Sequence, residues 1–527
     1  MVNAQSMKSK FVQEFKDVSR KGSDMQALIA KGYKDLLAAR YLLLTIDDST
    51  KARKFLAGLI DLVSCKDNSP ESEAVQTGPR FGRALNIAFT ASGLQELGLS
   101  PSVMDTFSRE FQEGMTYMHS GNDTQRERSI LLGDRGRNDP ANWHWGNEAK
   151  PVHGILLLYA TEKMALDLWQ KKILANCGGI TIKYLEETSP APFEHFGFMD
   201  GVSQPIVKGF SKSDDKRPPA ELVNAGEFIL GFKNEYDNYS PSPYVTDDNH
   251  ASALVYLPGH SDKKNLGRNG TYLVFRQIEQ HVEEFWRYMV NATKEDGPTP
   301  KDQAEKLAAK MVGRWRDGRP ISICPDQDKH LSAMDHNKFK YEDDGAGKNC
   351  PFGAHIRRMN PRDQTHAGRD ASMSLEISNK HRMIRRGRNY GEFMDIDKLI
   401  ETFVKAKESN ENSINDPEAT ANECKEAPRV SKPERGLHFI CVVSDISRQF
   451  EFVQNVWGNT PCFAALTNEV DPLISPRKTS RDKECHEFTA PQEKLRNRYK
   501  NVPEFTTVIG GQYFFMPGKD ALRYILR

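Results

Sequence analysis

The chain has 527 residues, 38% of them hydrophobic, with 73 Lys and Arg against 72 Asp and Glu and a formal net charge of +1. That length exceeds one small core, so two domains with long polar insertions are expected. The charge balance argues against a nucleic-acid partner, and no apolar run approaches the ~20 residues that cross a bilayer, so no membrane partner is expected either.

The start, MVNAQSMKSKFVQEFKDV, lacks the apolar core of a secretory leader, which predicts a cytoplasmic protein. The cysteines are widely spaced without a CxxC pair, unlike a disulfide framework or a zinc knuckle.

In chain order, Ser23 is a possible N-cap for a helix from about Asp24 to Leu37. ARYLLLTI, Ala39–Ile46, reads as a buried strand, and Asp48 or Ser49 caps the helix that follows. ALNIAFT, Ala84–Thr90, is a second strand, with the helical turn ASGLQELG after it. A long polar connection follows. Its stretch ERSILLGDRGRNDPANWHWGN carries two tryptophans and reads as an ordered loop. The strand His153–Ala160, the amphipathic helix TEKMALDLWQKKILANC and the strand Gly179–Glu187 complete the order of a ferredoxin-like unit.

The second half repeats the plan. TYLVFRQIEQHVEEFWRYM, from Thr271, is a strand feeding a helix, and Gly436–Trp457 does the same again. QYFFMPG, Gln512–Gly518, is a late short strand. The expected fold class is α+β: two ferredoxin-like domains, each a four-stranded antiparallel sheet with helices, over residues 1–225 and 226–527. Loops rich in Gly, Pro and Asp occupy about 211–265, and a polar insertion around 405–430 reads as mobile.

Four stretches bear on chemistry. FGFMDGVSQPIVKG sets Asp200 between Gly197 and Gly201 among apolar residues; Asp-Gly is also an ordinary turn pair. CPFGAHIRRMNPRD, Cys350–Asp363, places His355 among three arginines. HRMIRRGRNYG, His381–Gly391, places Arg385 and Arg386 before a glycine turn, and ISRQFEFVQNVW sets Glu451 among aromatics on a helix. Singly, each reads better as a turn, a solvated charge or a polar helix face than as a functional group. Together they allow one chemistry. A histidine binds haem iron through one ring nitrogen while the other needs an acceptor, for which Glu451 is a candidate. An arginine stays charged in a dry cavity, and a carboxylate such as Asp200 can move a proton between peroxide oxygens.

The joint presence of GFMDG at Gly197–Gly201, CPFGAHIRRMNPR at Cys350–Arg362 and IRRGRNYG at Ile384–Gly391, in this order, resembles the dye-decolourising peroxidases, a haem family, over essentially the whole chain. The resemblance implies haem b held mainly by the C-terminal domain. It implies His355 as iron ligand, Asp200 as distal acid, Arg385 as distal arginine and Arg362 as a haem-propionate partner. Glu451 would accept from the proximal histidine, with Asp445 as the alternative. It further implies reduction of hydrogen peroxide and one-electron oxidation of small or bulky aromatic donors such as dyes and phenols. Some relatives carry an asparagine two residues after the distal arginine, where this chain has Gly387. The glycines around Asp200 would let the backbone approach the haem. Trp143, Trp145, Trp315, Trp457 and Tyr390 are relay candidates if donors react at the surface. Homo-oligomer formation is compatible with such sheets. The main rival is a haem-binding carrier or sensor without peroxide turnover, which needs neither Asp200 nor Arg385.

Overall fold

The computed structural model describes residues 24–66, 82–116, 128–210, 221–246, 248–293, 299–365, 368–411, 435–477, 486–491 and 496–527. The first unit contains β1 (Ala38–Ile46), α1 (Ser49–Ala57), β2 (Arg83–Phe89), β3 (Gly154–Ala160), α2 (Lys163–Leu174) and β4 (Ile180–Tyr184). Asp48 caps α1, its side chain accepting from the Lys51 amide. The strands are antiparallel and lie in the order β4-β1-β3-β2, the arrangement of a ferredoxin-like sheet.

The second unit contains β5 (Thr271–Gln280), α3 (Val282–Asn291), α4 (Pro300–Val312), α5 (His355–Met359), β6 (Ile384–Arg385), β7 (Arg388–Tyr390), α6 (Ile396–Glu411), β8 (Gly436–Val443), β9 (Thr506–Met516) and α7 (Lys519–Ile525). Its order, β9-β5-β8 with β6 and β7 both on β8, repeats that of the first unit. The second position of the sheet is thus split into two short strands around Gly387. A Cβ at Gly387 would come within 2.6 Å of the His438 carbonyl oxygen.

The two sheets are not separate. Phe515 of β9 pairs with Phe89 of β2, which joins them edge to edge into one nine-stranded sheet. The apolar runs in the strands reflect cover on both faces. Leu42 and Leu44 of β1 enter one core cluster with Leu85, Leu156 and Leu158, while Tyr41 and Leu43 enter the other with Ile155 and Leu157. Helix α7 returns to the first unit, where Leu522 and Ile525 pack in the cluster of Leu42 and Leu56.

Three expectations change. The helix expected over Asp24–Leu37 is one turn, Ala27–Ala30, ended by Gly32 and by Tyr33 at φ +51°; Ser23 lies outside the described residues. The late strand is longer than Gln512–Gly518. It begins at Thr506 and passes Gly510 and Gly511 with a register shift after Val508, because the Trp145 ring lies against Gly510 where a side chain would stand. Of the polar insertion around 405–430, residues up to Glu411 belong to α6 and 412–430 lie outside the described residues. The two-tryptophan loop is ordered from Arg128 onward. Trp143 and Trp145 are wholly buried, donating to Asn138 O and to Gln277 Oε1.

Candidate active site

Asp200, Arg385, His355 and Arg362 line one cavity of about 260 Å³. Its floor is the second sheet, through Ile278 and Gln280 of β5 and Leu437 and Phe439 of β8. Alternate residues of a strand share a face, so each pair points the same way.

His355 opens α5. Its Nδ1 lies 2.9 Å from Oδ2 of Asp471, a fully buried carboxylate. Oδ1 of Asp471 accepts from the amides of Leu473 and Ile474 at 2.9 and 3.1 Å. Burial opposes ionisation of Asp471, but His355 and these amides hold its carboxyl below the usual carboxylate range. An ionised Asp471 makes Nδ1 the protonated nitrogen and leaves Nε2 with a lone pair. The strap carrying Asp471 is itself fixed: Arg477 donates to the Asp471 and Pro472 carbonyls, and Arg358 donates to those of Trp457 and Glu469. Arg357 and Arg358, beside the histidine, are wholly buried and structural.

Glu451 does not accept from His355. Its carboxylate receives Arg128 and the Tyr513 hydroxyl, the latter at 2.8 Å. The reason is the helix geometry. Residues 447–458 wind with i→i+5 bonds, such as Glu451 N to Ile446 O and Asn459 N to Gln454 O, so an α-helical period misplaces the carboxylate. Asp445, the alternative, accepts from the Arg448 amide at the start of that helix.

In the same cavity lining, Nη1 of Arg385 lies 3.8 Å from Oδ1 of Asp200, with the side chains 40% and 46% exposed. Asp200 Oδ1 accepts from the Gly201 amide at 2.6 Å. Arg385 donates through Nη2 to Ser203 O, and its backbone is clasped by the Gln204 side chain. Gly197 and Gly201 take φ values of +92° and +74°, so the turn itself requires glycine there. The adjacent Glu194 also lines the cavity. Burial pushes its carboxyl up to about 7, against bonds from the Phe196 and Phe198 amides and Gln280.

The wall carries four guanidiniums, Arg314, Arg362, Arg382 and Arg385, while its acids among the described lining residues are Glu194 and Asp200. Arg362, at φ +53°, donates to Asn337 O and Phe339 O and lies 4.0 Å over the Phe339 ring. Burial, with Arg362 and Arg385 nearby, pulls Arg382 down to about 9, and burial, again with Arg362 nearby, pulls Arg314 down to about 10. None of the described residues hydrogen-bonds the Arg382 guanidinium, although the residue is buried. Such a wall fits an anionic occupant. An iron porphyrin matches each feature: an apolar enclosure for the ring, an imidazole lone pair for the metal, and guanidiniums for two carboxylates.

A family model described as the DyP dimeric alpha+beta barrel domain matches residues 25–189. The dye-decolorizing peroxidase msp1 of Mycetinis scorodonius is 27% identical over 96% of this chain and 87% of its own length. The multifunctional dye peroxidase DyP2 of Amycolatopsis sp. is 27% identical over 92% of this chain and 91% of its own. The solved structure of an ancestral D-type dye decolorizing peroxidase superposes with a TM-score of 0.70 at 25% identity, covering 95% of this chain and 98% of that one. Residues 25–189 match that family model, and nearly the whole chain resembles the dye-decolourising peroxidases. A dye-decolorizing peroxidase solved in complex with 2,6-dimethoxyphenol shares the fold, with a TM-score of 0.69 at 23% identity.

At this site, sequence reasoning missed Asp471 and Arg382. Asp471 lies in VDPLIS, where an acid before proline reads as a turn. Arg382 stands within HRMIRRGRNYG, but only the fold shows that its charge is unanswered. The five relay candidates, Trp143, Trp145, Trp315, Trp457 and Tyr390, are all buried, whereas Tyr184, Tyr236 and Tyr256 are exposed. Among the described residues no helix is long and apolar enough to cross a membrane.

Proposed function

We propose that this chain is a haem peroxidase that reduces hydrogen peroxide and oxidises bulky aromatic donors, such as dyes and phenols, by one-electron steps. The observation that carries this reading is the presence in the lining of one cavity of a carboxylate-braced imidazole, His355, and a carboxylate–guanidinium pair, Asp200 and Arg385. The group held is haem b. When bound, it supplies a redox-active iron that accepts both oxidising equivalents of the peroxide.

His355 Nε2 is the atom offered to the metal, and Asp471 fixes its tautomer and strengthens it as a donor. Arg362 and Arg382 answer the two propionates. Asp200 Oδ2 carries no hydrogen bond to the described residues, so it is the atom that takes a proton from one peroxide oxygen and returns it to the other. Positioned transfer of this kind contributes about 10²–10⁴-fold in rate. Arg385 faces the same space and stabilises the negative charge that develops on the departing oxygen. In this reading the distal acid belongs to a unit of residues 1–225 and the haem ligand to a unit of residues 226–527.

The test is turnover. Apoprotein loaded with one equivalent of haem is supplied with hydrogen peroxide and 2,6-dimethoxyphenol. Sustained oxidation of the phenol supports the reading. Tight haem binding without turnover would instead support a carrier.

A further inference from the structure

The loop that presents Asp200 is wrapped round a second, half-buried carboxylate, Glu194. Phe193 and Met199 form an antiparallel bridge, Glu194 N donates to Phe198 O, and Gly197 N donates to Glu194 O. Inside this turn, Oε1 of Glu194 accepts from the Phe198 amide at 2.9 Å, and Oε2 accepts from the Phe196 amide at 2.9 Å. Oε2 also accepts from Nε2 of Gln280 at 2.6 Å. Gln280 ends β5, on the cavity floor, so Glu194 links the distal loop to the sheet of the other unit.

A carboxylate partly withdrawn from water is a poor device for stability alone, because its desolvation opposes the bonds it makes. What it does supply is direction. Three N–H donors from two parts of the chain converge on two oxygens, which fixes the loop against the end of β5 immediately before Met199 and Asp200. Other contacts keep the loop folded without setting that register: Trp286 donates to Phe196 O, and the amides of Met199 and Asp200 donate to Arg316 O and Pro192 O.

We propose that Glu194 is the positioning residue of the distal loop, fixing where the Asp200 carboxylate stands relative to the cavity floor. This rests on the peroxidase reading above. Replacement by glutamine keeps the size but turns one acceptor oxygen into an amide NH2 donor facing a backbone N–H. The loop loses a bond and shifts, and a shift of about 1 Å near reacting atoms costs on the order of 10²-fold in rate.

A double-mutant cycle on the haem-loaded protein tests this, read as the second-order rate of the absorbance change with hydrogen peroxide. Glu194→Gln is expected to slow the reaction by about 10²-fold in the otherwise native chain. On an Asp200→Asn background it is expected to slow it by less than about two-fold, because its effect passes through Asp200. Amide exchange over residues 193–201, measured on the protein before loading, is expected to rise roughly tenfold in Glu194→Gln. Equal losses in both backgrounds, or unchanged rate and exchange, would overturn the assignment. If Glu194→Gln fails to fold, Gln280→Met carries the same cycle, since it removes the donor from the sheet side alone. A wild type that does not react with peroxide would instead overturn the peroxidase reading.

Discussion

His355 and Asp471, 116 residues apart in the chain, meet at 2.9 Å through Nδ1 and Oδ2. That contact, and not one to Glu451, sets the electron-donating strength of the imidazole. Asp471→Asn is therefore expected to raise the midpoint potential of the bound haem and to lower peroxidase activity by about 10–100-fold. Glu451→Gln is expected to leave the potential unchanged, because its partners are Arg128 and Tyr513. A potentiometric titration of the two variants checks both.

Arg382 gives effects of opposite sign in the two forms of the protein. Without an occupant its charge lies near Arg362 and Arg385 with no hydrogen-bonding answer among the described residues. Arg382→Met should raise the melting temperature of the apoprotein by removing that repulsion. The same change should weaken haem binding by about tenfold or more, the loss of a charge-assisted bond. Haem dimethyl ester, which lacks the carboxylates, should bind the two proteins alike.

Gly387 separates β6 from β7 where some relatives carry asparagine. A Cβ there would meet the His438 carbonyl at 2.6 Å. Gly387→Asn is expected to cost about 1–3 kcal/mol or more and to push β6, with Arg385, away from β8. Thermal unfolding measures the cost.

Glu227 makes a pH prediction with a definite sign. Burial lifts its carboxyl from 4.5 to about 7, against Arg448 and the Glu235 amide. The folded state then holds a proton that the unfolded state has released, so the stability tied to Glu227 is full below about 4.5 and lost as pH rises through about 7. Glu194 carries the same sign. Buried His195 and His438, pulled down from 6.5 to about 4, carry the opposite one, with stability lost as pH falls through about 4. A difference between wild type and a Glu227 variant isolates the contribution of Glu227. The urea midpoint of wild type minus that of Glu227→Gln should fall from about pH 5 to about pH 8, since glutamine matches only the protonated carboxyl. A constant gap would contradict the assignment.

Much of this was legible in the chain. The strands showed because mostly apolar runs such as Tyr41–Leu44 of β1 are covered on both faces, and the repeated chain order of elements pointed to two ferredoxin-like units. Asp200, His355 and Arg385 showed because each stands in a motif and the motifs come in order. What stayed hidden depends on distant contacts. Asp471 is defined by the strap that Arg477 ties down, not by its neighbours in sequence. Glu451 was misplaced because the pattern SRQFEFVQNVW gives no sign of its i→i+5 winding. The glycine pair at 510–511 read as the edge of a strand, whereas Trp145, more than 350 residues earlier, makes it the middle of one.

The central claim is that Asp200 moves the peroxide proton in the cavity that His355 serves. Stopped-flow absorbance of the haem-loaded protein with one equivalent of hydrogen peroxide, for wild type and Asp200→Asn, tests it most directly. A rapid shift of the haem bands in wild type, slowed about 10²–10⁴-fold in the variant, is the predicted result. Equal rates in the two proteins would contradict it.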